Sequence, residues 1–171
     1  MKPCFASVKE GISSLQIIFN IFRQRPIENL FSLAQENNVG IIVRLPLASG
    51  LLSGKYNKET RFDETDHRNY NKDGDAFSVG ETFSGIPFEK GLDFVLKVES
   101  LKPAQMSMTQ FALRWILDHK AVTTVIAGAS SVEQVVENVS ATSLPILSPE
   151  THKSLYEMYT KEVESEIRGV Y

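Results

Sequence analysis

Cysteine is nearly absent from this sequence: the one thiol among 171 residues, Cys4, excludes an internal disulfide and suits a reducing, cytoplasmic setting. Long apolar runs are missing as well. The most apolar stretch, 39–52, is interrupted by Arg44, Pro46 and two glycines, and is too short to cross a bilayer. The opening MKPCFASVKEG has no apolar core of a signal peptide. Positive charge is not in excess, the formal net charge being −3, so nothing draws the chain to nucleic acid or an anionic membrane. The three histidines, His67, His119 and His152, are too scattered to suggest zinc or a catalytic triad, and no metal is expected. What is present, 42% hydrophobic and 23% charged residues, suffices for one globular unit spanning 1–171, expected to be cytoplasmic.

Three short runs are rich in β-branched residues: SLQIIF at 14–19, GIIVRL at 40–45 and VTTVIA at 122–127. Near-continuous apolar runs of this length predict parallel strands buried on both faces. Helical periodicity lies between and after them. Pro26 stands at a first helical position, with Ile27, Leu30, Phe31 and Ala34 on one face and Asn38 and Gly40 as stops. Ser107 and Gln110 form a capping signature ahead of Met108, Phe111, Ala112, Trp115 and Ile116. Ser131 and Gln134 repeat that signature at the start of a stripe of Val132, Val135, Val136 and Val139. Another helix is expected over 89–101, and a last one from Ser148–Pro149 to about Glu164 with Leu155, Tyr159 and Val163 inward. Alternating β and α with buried strands implies right-handed βαβ units. The stretch 48–87 is polar, contains glycines and lacks periodicity, which marks a functional or disordered loop.

Two motifs in that loop fail on inspection. Asn69, Asn71, Asp73 and Gly74 begin like a calcium loop, but the twelfth position is Gly80 where a bidentate glutamate belongs. Gly50 to Tyr56 has one residue too few between its glycines, and a tyrosine where a P-loop holds magnesium through Ser or Thr. Arg44 is more informative. It either reaches solvent at its strand's end or sits at the mouth of a site against a carboxylate, a phosphate or a ring. Gln16, the polar residue within LQIIF, needs a hydrogen-bond partner if buried, and a ligand amide is one candidate. The turn 126–131 runs directly into a helix whose first turns hold Glu133, Gln134, Glu137 and Asn138. Its free amides and serine hydroxyls suit an anion, and equally suit simple N-capping by Ser131.

Together these segments resemble the aldo-keto reductase family. The resemblance rests on QIIFN at 16–20, VRLPLASGLLSGKY at 43–56, ALRWIL at 112–117, and VIAGASS at 125–131 with Glu133, Gln134, Glu137 and Asn138 after it. The pieces Asp66-His67-Arg68 and GETFSG at 80–85 resemble one bacterial-type branch. The resemblance implies a (β/α)8 TIM-type barrel that binds NADPH across the C-terminal ends of its strands. The three strands here would be the sixth, seventh and eighth, so the expected fold is α/β, a partial barrel of three parallel strands with flanking helices and a long loop.

Carried over position by position, Gln16 would meet the nicotinamide carboxamide, and Arg44 stands where many members stack a tyrosine on the nicotinamide. Leu47, Ser49 and Lys55 fall where the pyrophosphate is held. Gly128, Ser130, Gln134, Glu137 and Asn138 match the adenosine end. Ser130 and Gln134 occupy the region where some members read the 2′-phosphate with Lys or Arg, and NADP is expected ahead of NAD. The family's catalytic Asp, Tyr, Lys and His belong to the first half, ahead of Met1, so no catalytic residue is expected in this chain. Lys55, Tyr56 and His67 do not correspond to them. A barrel of this type needs about 250 residues. The implied function is the NADP(H)-binding part of an oxidoreductase that reduces a small aldehyde or ketone once completed by an N-terminal half. The alternative is a non-catalytic dinucleotide-binding module or a truncated, inactive fragment. Three strands cut from a barrel expose two sheet edges, and self-association through them is expected.

Overall fold

The structure, a computed structural model, describes residues 2–169. Three parallel strands form one sheet: β1 (Ser14–Ile18), β2 (Gly40–Arg44) and β3 (Val122–Val125), with β2 central. In register, Gln16 lies beside Ile42 and Ile18 beside Arg44, and the pairing of β2 with β3 shifts between Ile41 and Ile42. Each strand stops one or two residues before its apolar run does. In β2 the cause is local: Leu45 takes a left-handed backbone, φ 51°, which ends an extended chain. After β3, Ile126 still donates its N–H to the Val43 carbonyl at 2.8 Å.

The expectation of strands buried on both faces is corrected. Ile17, Ile41 and Val43 are buried, while Ile42 and Arg44 are half-buried and Gln16 and Thr124 are exposed. Burial therefore alternates because helices cover one face of the sheet. No second layer covers the other among the described residues.

The covering layer begins with α1 (Lys2–Lys9), a helix that the sequence reading does not include, and it places Val8 in the core. The helix expected from Pro26 is broken in two. A short 3-10 turn spans Arg25–Ile27, Asn29 leaves helical geometry, and α2 is Leu30–Glu36, burying Leu30, Phe31 and Ala34. Asn38 follows at φ 55°, the left-handed stop that asparagine tolerates. The loop from β2 carries α3 (His67–Tyr70), then come α4 (Phe88–Ser100) and α5 (Met108–Leu117). Around α5 both halves of the capping box form: Gln110 N–H donates to Ser107 Oγ, and Ser107 N–H donates to Gln110 Oε1. After β3 come α6 (Val132–Ser140) and α7 (Pro149–Met158). A single π turn over Tyr159–Val163 prolongs α7, and it buries Tyr159 and Val163 as the spacing predicts.

The core is densest where α5 crosses the sheet. Trp115 stacks on Phe19 at 4.9 Å, and His119 meets Phe19, Phe31 and Trp115 edge-on. His119 Nδ1 lies 2.9 Å from the Trp115 carbonyl, which can only accept, so Nδ1 carries the proton of a neutral ring. Burial first, then the nearby His152, pushes the His119 pKa down to about 4. The unfolded chain takes up a proton near pH 6.5 that the folded chain refuses until about pH 4. Stability from this site is therefore complete above pH 6.5 and lost as pH falls toward 4, by roughly 2 kcal/mol at pH 5. Urea midpoints at pH 8 and pH 5 should show this loss, and His119→Gln should flatten it.

The segment 48–87 is ordered without being periodic, and its side chains do the ordering. Buried Asn71 donates to Thr82 Oγ1 at 3.0 Å and accepts from the N–H groups of Ala76 and Phe77 at 3.0 and 2.9 Å. That residue of the failed calcium motif is a turn anchor. Asp66 caps α3 by accepting from Arg68 N at 2.8 Å, and Arg68 bonding holds its carboxyl down at about 2. The Arg68 guanidinium in turn lies 4.7 Å from the Phe62 ring centre.

Candidate functional site

The C-terminal end of β2 carries most of the backbone strain among the described residues. Of the six non-glycine residues with positive φ among the described residues, five lie there: Leu45, Ala48 and Ser49 after β2, and Phe83 and Ser84 in the segment pressed against them. Such conformations persist only where surrounding bonds over-determine them. Two side chains do so here. Ser49 Oγ donates to the Glu81 carbonyl at 3.3 Å and accepts from Phe83 N–H at 3.1 Å. Fully buried Asn20, just beyond β1, donates to the Leu45 carbonyl at 2.8 Å and to Ser84 Oγ at 2.9 Å. Gly50 continues the turn at φ 94°, and a Cβ there would meet the Tyr56 hydroxyl at 2.4 Å. Only glycine fits that position.

These loops frame two adjoining clefts that share Leu47, Gly50 and Gly128. The larger, about 520 Å³, is lined among others by Ser49, His67, Arg68, Glu81 and Ile126. The smaller, about 170 Å³, is lined by Lys55, Tyr56, Thr109, Gln134, Glu137 and Asn138 among others. Seven of the ten residues expected to bind a cofactor thus line these two adjoining clefts, namely Leu47, Ser49, Lys55, Gly128, Gln134, Glu137 and Asn138. Ser130 belongs to the same corner: its N–H donates to Gln134 Oε1 at 2.8 Å, and Asn138 Nδ2 donates to the Gly128 carbonyl at 3.3 Å. The Gln134 bond replaces the second half of a capping box. Its carbonyl oxygen goes to Ser130, while Ser131 Oγ still accepts from Gln134 N–H at 3.3 Å.

Two expected residues stand differently. Gln16 is exposed on the open face of β1 and lines neither cleft, so the need for a partner that burial would impose does not arise. Arg44 had several possible partners, and the structure gives it a carboxylate: both terminal nitrogens bond the two oxygens of Glu81. Bidentate pairing fixes the guanidinium plane beside the larger cleft. Glu81 and Asn20 are the residues that sequence reasoning missed. Both lie inside stretches that carry the family resemblance, GETFSG and QIIFN, but a pairing across 37 residues leaves no local trace.

Chemically, the clefts offer one lysine, a tight glycine-containing turn, a helix N-terminus and several amide and hydroxyl side chains. That set suits an elongated, polar, anionic ligand. Glu137 is partly committed, since Oε1 accepts from Ser107 Oγ at 2.6 Å. Among the described residues no three His, Cys, Asp or Glu side chains gather where one metal ion could sit.

A family model described as Aldo/keto reductase family matches residues 6–160. The chain is 39% identical over 113 residues to an L-glyceraldehyde 3-phosphate reductase from Escherichia coli, a match covering 66% of this chain and 31% of that protein. Among solved structures, a glycerol dehydrogenase from Gluconobacter oxydans superposes with TM-score 0.72 at 25% identity, covering 94% of this chain and 46% of that one. An aldo-keto reductase from Bacillus halodurans in its holo form gives TM-score 0.63 at 27% identity, covering 90% and 45%. The chain spans less than half the length of each of these proteins. No helix among the described residues is long and apolar enough to cross a membrane.

Proposed function

Because this chain belongs to the aldo/keto reductase family, we propose that it is the C-terminal, NADP(H)-binding part of an oxidoreductase that reduces small aldehydes or ketones. The observation that carries this reading is the convergence of Leu47, Ser49, Lys55, Gly128, Gln134, Glu137 and Asn138 on one groove at the strand ends. Residues as far apart in sequence as Leu47 and Asn138 meet there, around a turn held in left-handed geometry. The donor set fits a dinucleotide. Lys55, with Leu47 and Ser49 of the turn, would hold the pyrophosphate. Gln134, Asn138 and the α6 N-terminus would hold the adenosine end, with Ser130 nearest the 2′-phosphate.

The bound cofactor would supply a hydride. The groove's own contribution is binding and orientation. Arg44, fixed by Glu81, presents a flat cation beside the cleft, a surface on which an aromatic ring can stack. Gln16 has no part in the groove as it stands. The acid that protonates the substrate oxygen would come from residues outside this chain, since general acid catalysis needs a tuned group within hydrogen-bond reach. The hydroxyl of Tyr56 is already engaged by Arg68 and the Ser49 carbonyl.

Isothermal titration tests the reading. NADPH should bind the chain, NADH more weakly. Gln134→Ala combined with Asn138→Ala should weaken NADPH by about 1–3 kcal/mol, because each change removes a ligand bond and a tie on the 128–130 turn. Glu89→Ala, on the exposed face of α4, should leave affinity unchanged. Equal losses from both changes would put the cofactor elsewhere.

A further inference from the structure

Two arginines stand at the larger cleft, and each is matched to a carboxylate. Arg44 is bound through both terminal nitrogens to Glu81, which lines the cleft. Arg68, also in the lining, donates from Nε to Asp66 at 2.9 Å. A dinucleotide with its pyrophosphate on Lys55 and its adenosine end at Gln134 and Asn138 would occupy the smaller cleft. Its remaining end would pass Leu47, Gly50 and Gly128, which both clefts share, into the larger one. Leu45, Pro46, Phe77 and Ile126 give that space apolar walls, which suit a flat ring.

A nicotinamide ring is cationic when oxidised and neutral when reduced. A bare guanidinium beside it opposes the oxidised form alone, and a bare carboxylate favours that form. Arg44 stays charged at any working pH, so the net charge of this wall rests on Glu81. The two side chains are only 32% and 28% exposed, and salt screens such a pair less than a surface one. We propose that Glu81 is a specificity-determining residue: by cancelling the Arg44 charge, it sets how the site divides its affinity between oxidised and reduced cofactor. This rests on the proposal that a dinucleotide lies in these clefts, with its nicotinamide end in the larger. A pair with a purely structural role would act otherwise, since loosening it would weaken both forms by the same factor.

Isothermal titration of the chain with NADP+ and with NADPH gives the ratio of the two dissociation constants. Glu81→Gln leaves Arg44 uncompensated and should weaken NADP+ relative to NADPH about tenfold, a rise of about 30 mV in the bound cofactor's midpoint potential. Arg44→Met leaves the carboxylate alone and should move the ratio about as far the other way. The double variant has neither charge, and its ratio should return to that of the unmodified chain. Glu81→Asp keeps the charge and should hold the ratio within about twofold, even where both affinities fall. Single variants that weaken both forms equally would overturn the inference and leave the cofactor site standing. A ratio moved by Asp66→Asn but not by Glu81→Gln would put the ring beside Arg68 and overturn it too. Binding of neither form by the unmodified chain would overturn the cofactor reading, and this inference with it.

Discussion

Asp118→Ala is expected to lower the unfolding free energy by about 3–5 kcal/mol, the cost of stripping the partner from a buried charge. Asp118 ends α5 with its side chain 4% exposed. One carboxylate oxygen accepts from Arg114 Nε at 2.8 Å. The other accepts from His152 Nε2 at 2.9 Å and from Leu147 N–H at 3.0 Å. A single side chain therefore ties α5 to the start of α7 and to the loop before it. Arg114 keeps weaker bonds to the carbonyls of Ala141, Thr142 and Leu144 at 3.3, 3.3 and 3.4 Å, but these are dipoles and do not neutralise its charge. Against a typical domain stability of about 5–15 kcal/mol, the loss is large enough to unfold a marginal chain. Asp118→Asn, which can still accept from Leu147, should cost less. Urea denaturation measures both, and a loss below about 1 kcal/mol for the alanine variant would mean the cluster is solvated.

The second large effect concerns the chain on its own: it should self-associate in a concentration-dependent way and show no carbonyl reductase turnover. Both free sheet edges, the half-covered open face and the α6 valines leave apolar surface in water. At roughly 25 cal/mol per Å², ~400 Å² of such surface costs on the order of 10 kcal/mol, a strong drive to association. Pairing edge to edge, the products should be a dimer or a larger assembly. Dynamic light scattering across a dilution series reads this directly, and an NADPH-oxidation assay with a panel of aldehydes reads turnover. A monodisperse monomer would refute the association argument. Turnover above background would mean that a catalytic acid lies within the chain.

Much of the fold is legible in the sequence because its signals are local. The three strand runs, the Ser107 capping box, and the inward Leu155, Tyr159 and Val163 depend on residues within one or two turns of each other. What escapes is non-local. The 14–19 and 40–45 runs read as strands buried on both faces, yet whether a second layer covers Ile42 or Gln16 is a property of neighbours that no run can report. The α6 valines carry a core-facing period and yet stand exposed, for the same reason. The short helix α1 has no capping residue or strong stripe to announce it. In the site, the residue types and their order were readable through the family resemblance. The Arg44–Glu81 pair and the Asn20 brace were not, since each joins segments that only the folded sheet brings together.

Hydrogen exchange with and without saturating NADPH measures most directly where a dinucleotide lies. Amide protection should rise in the turn 45–56 and across 126–138, the segments that line the two clefts, and stay unchanged in α4. Protection confined to α4 or α7, or no change at saturation, would contradict the site.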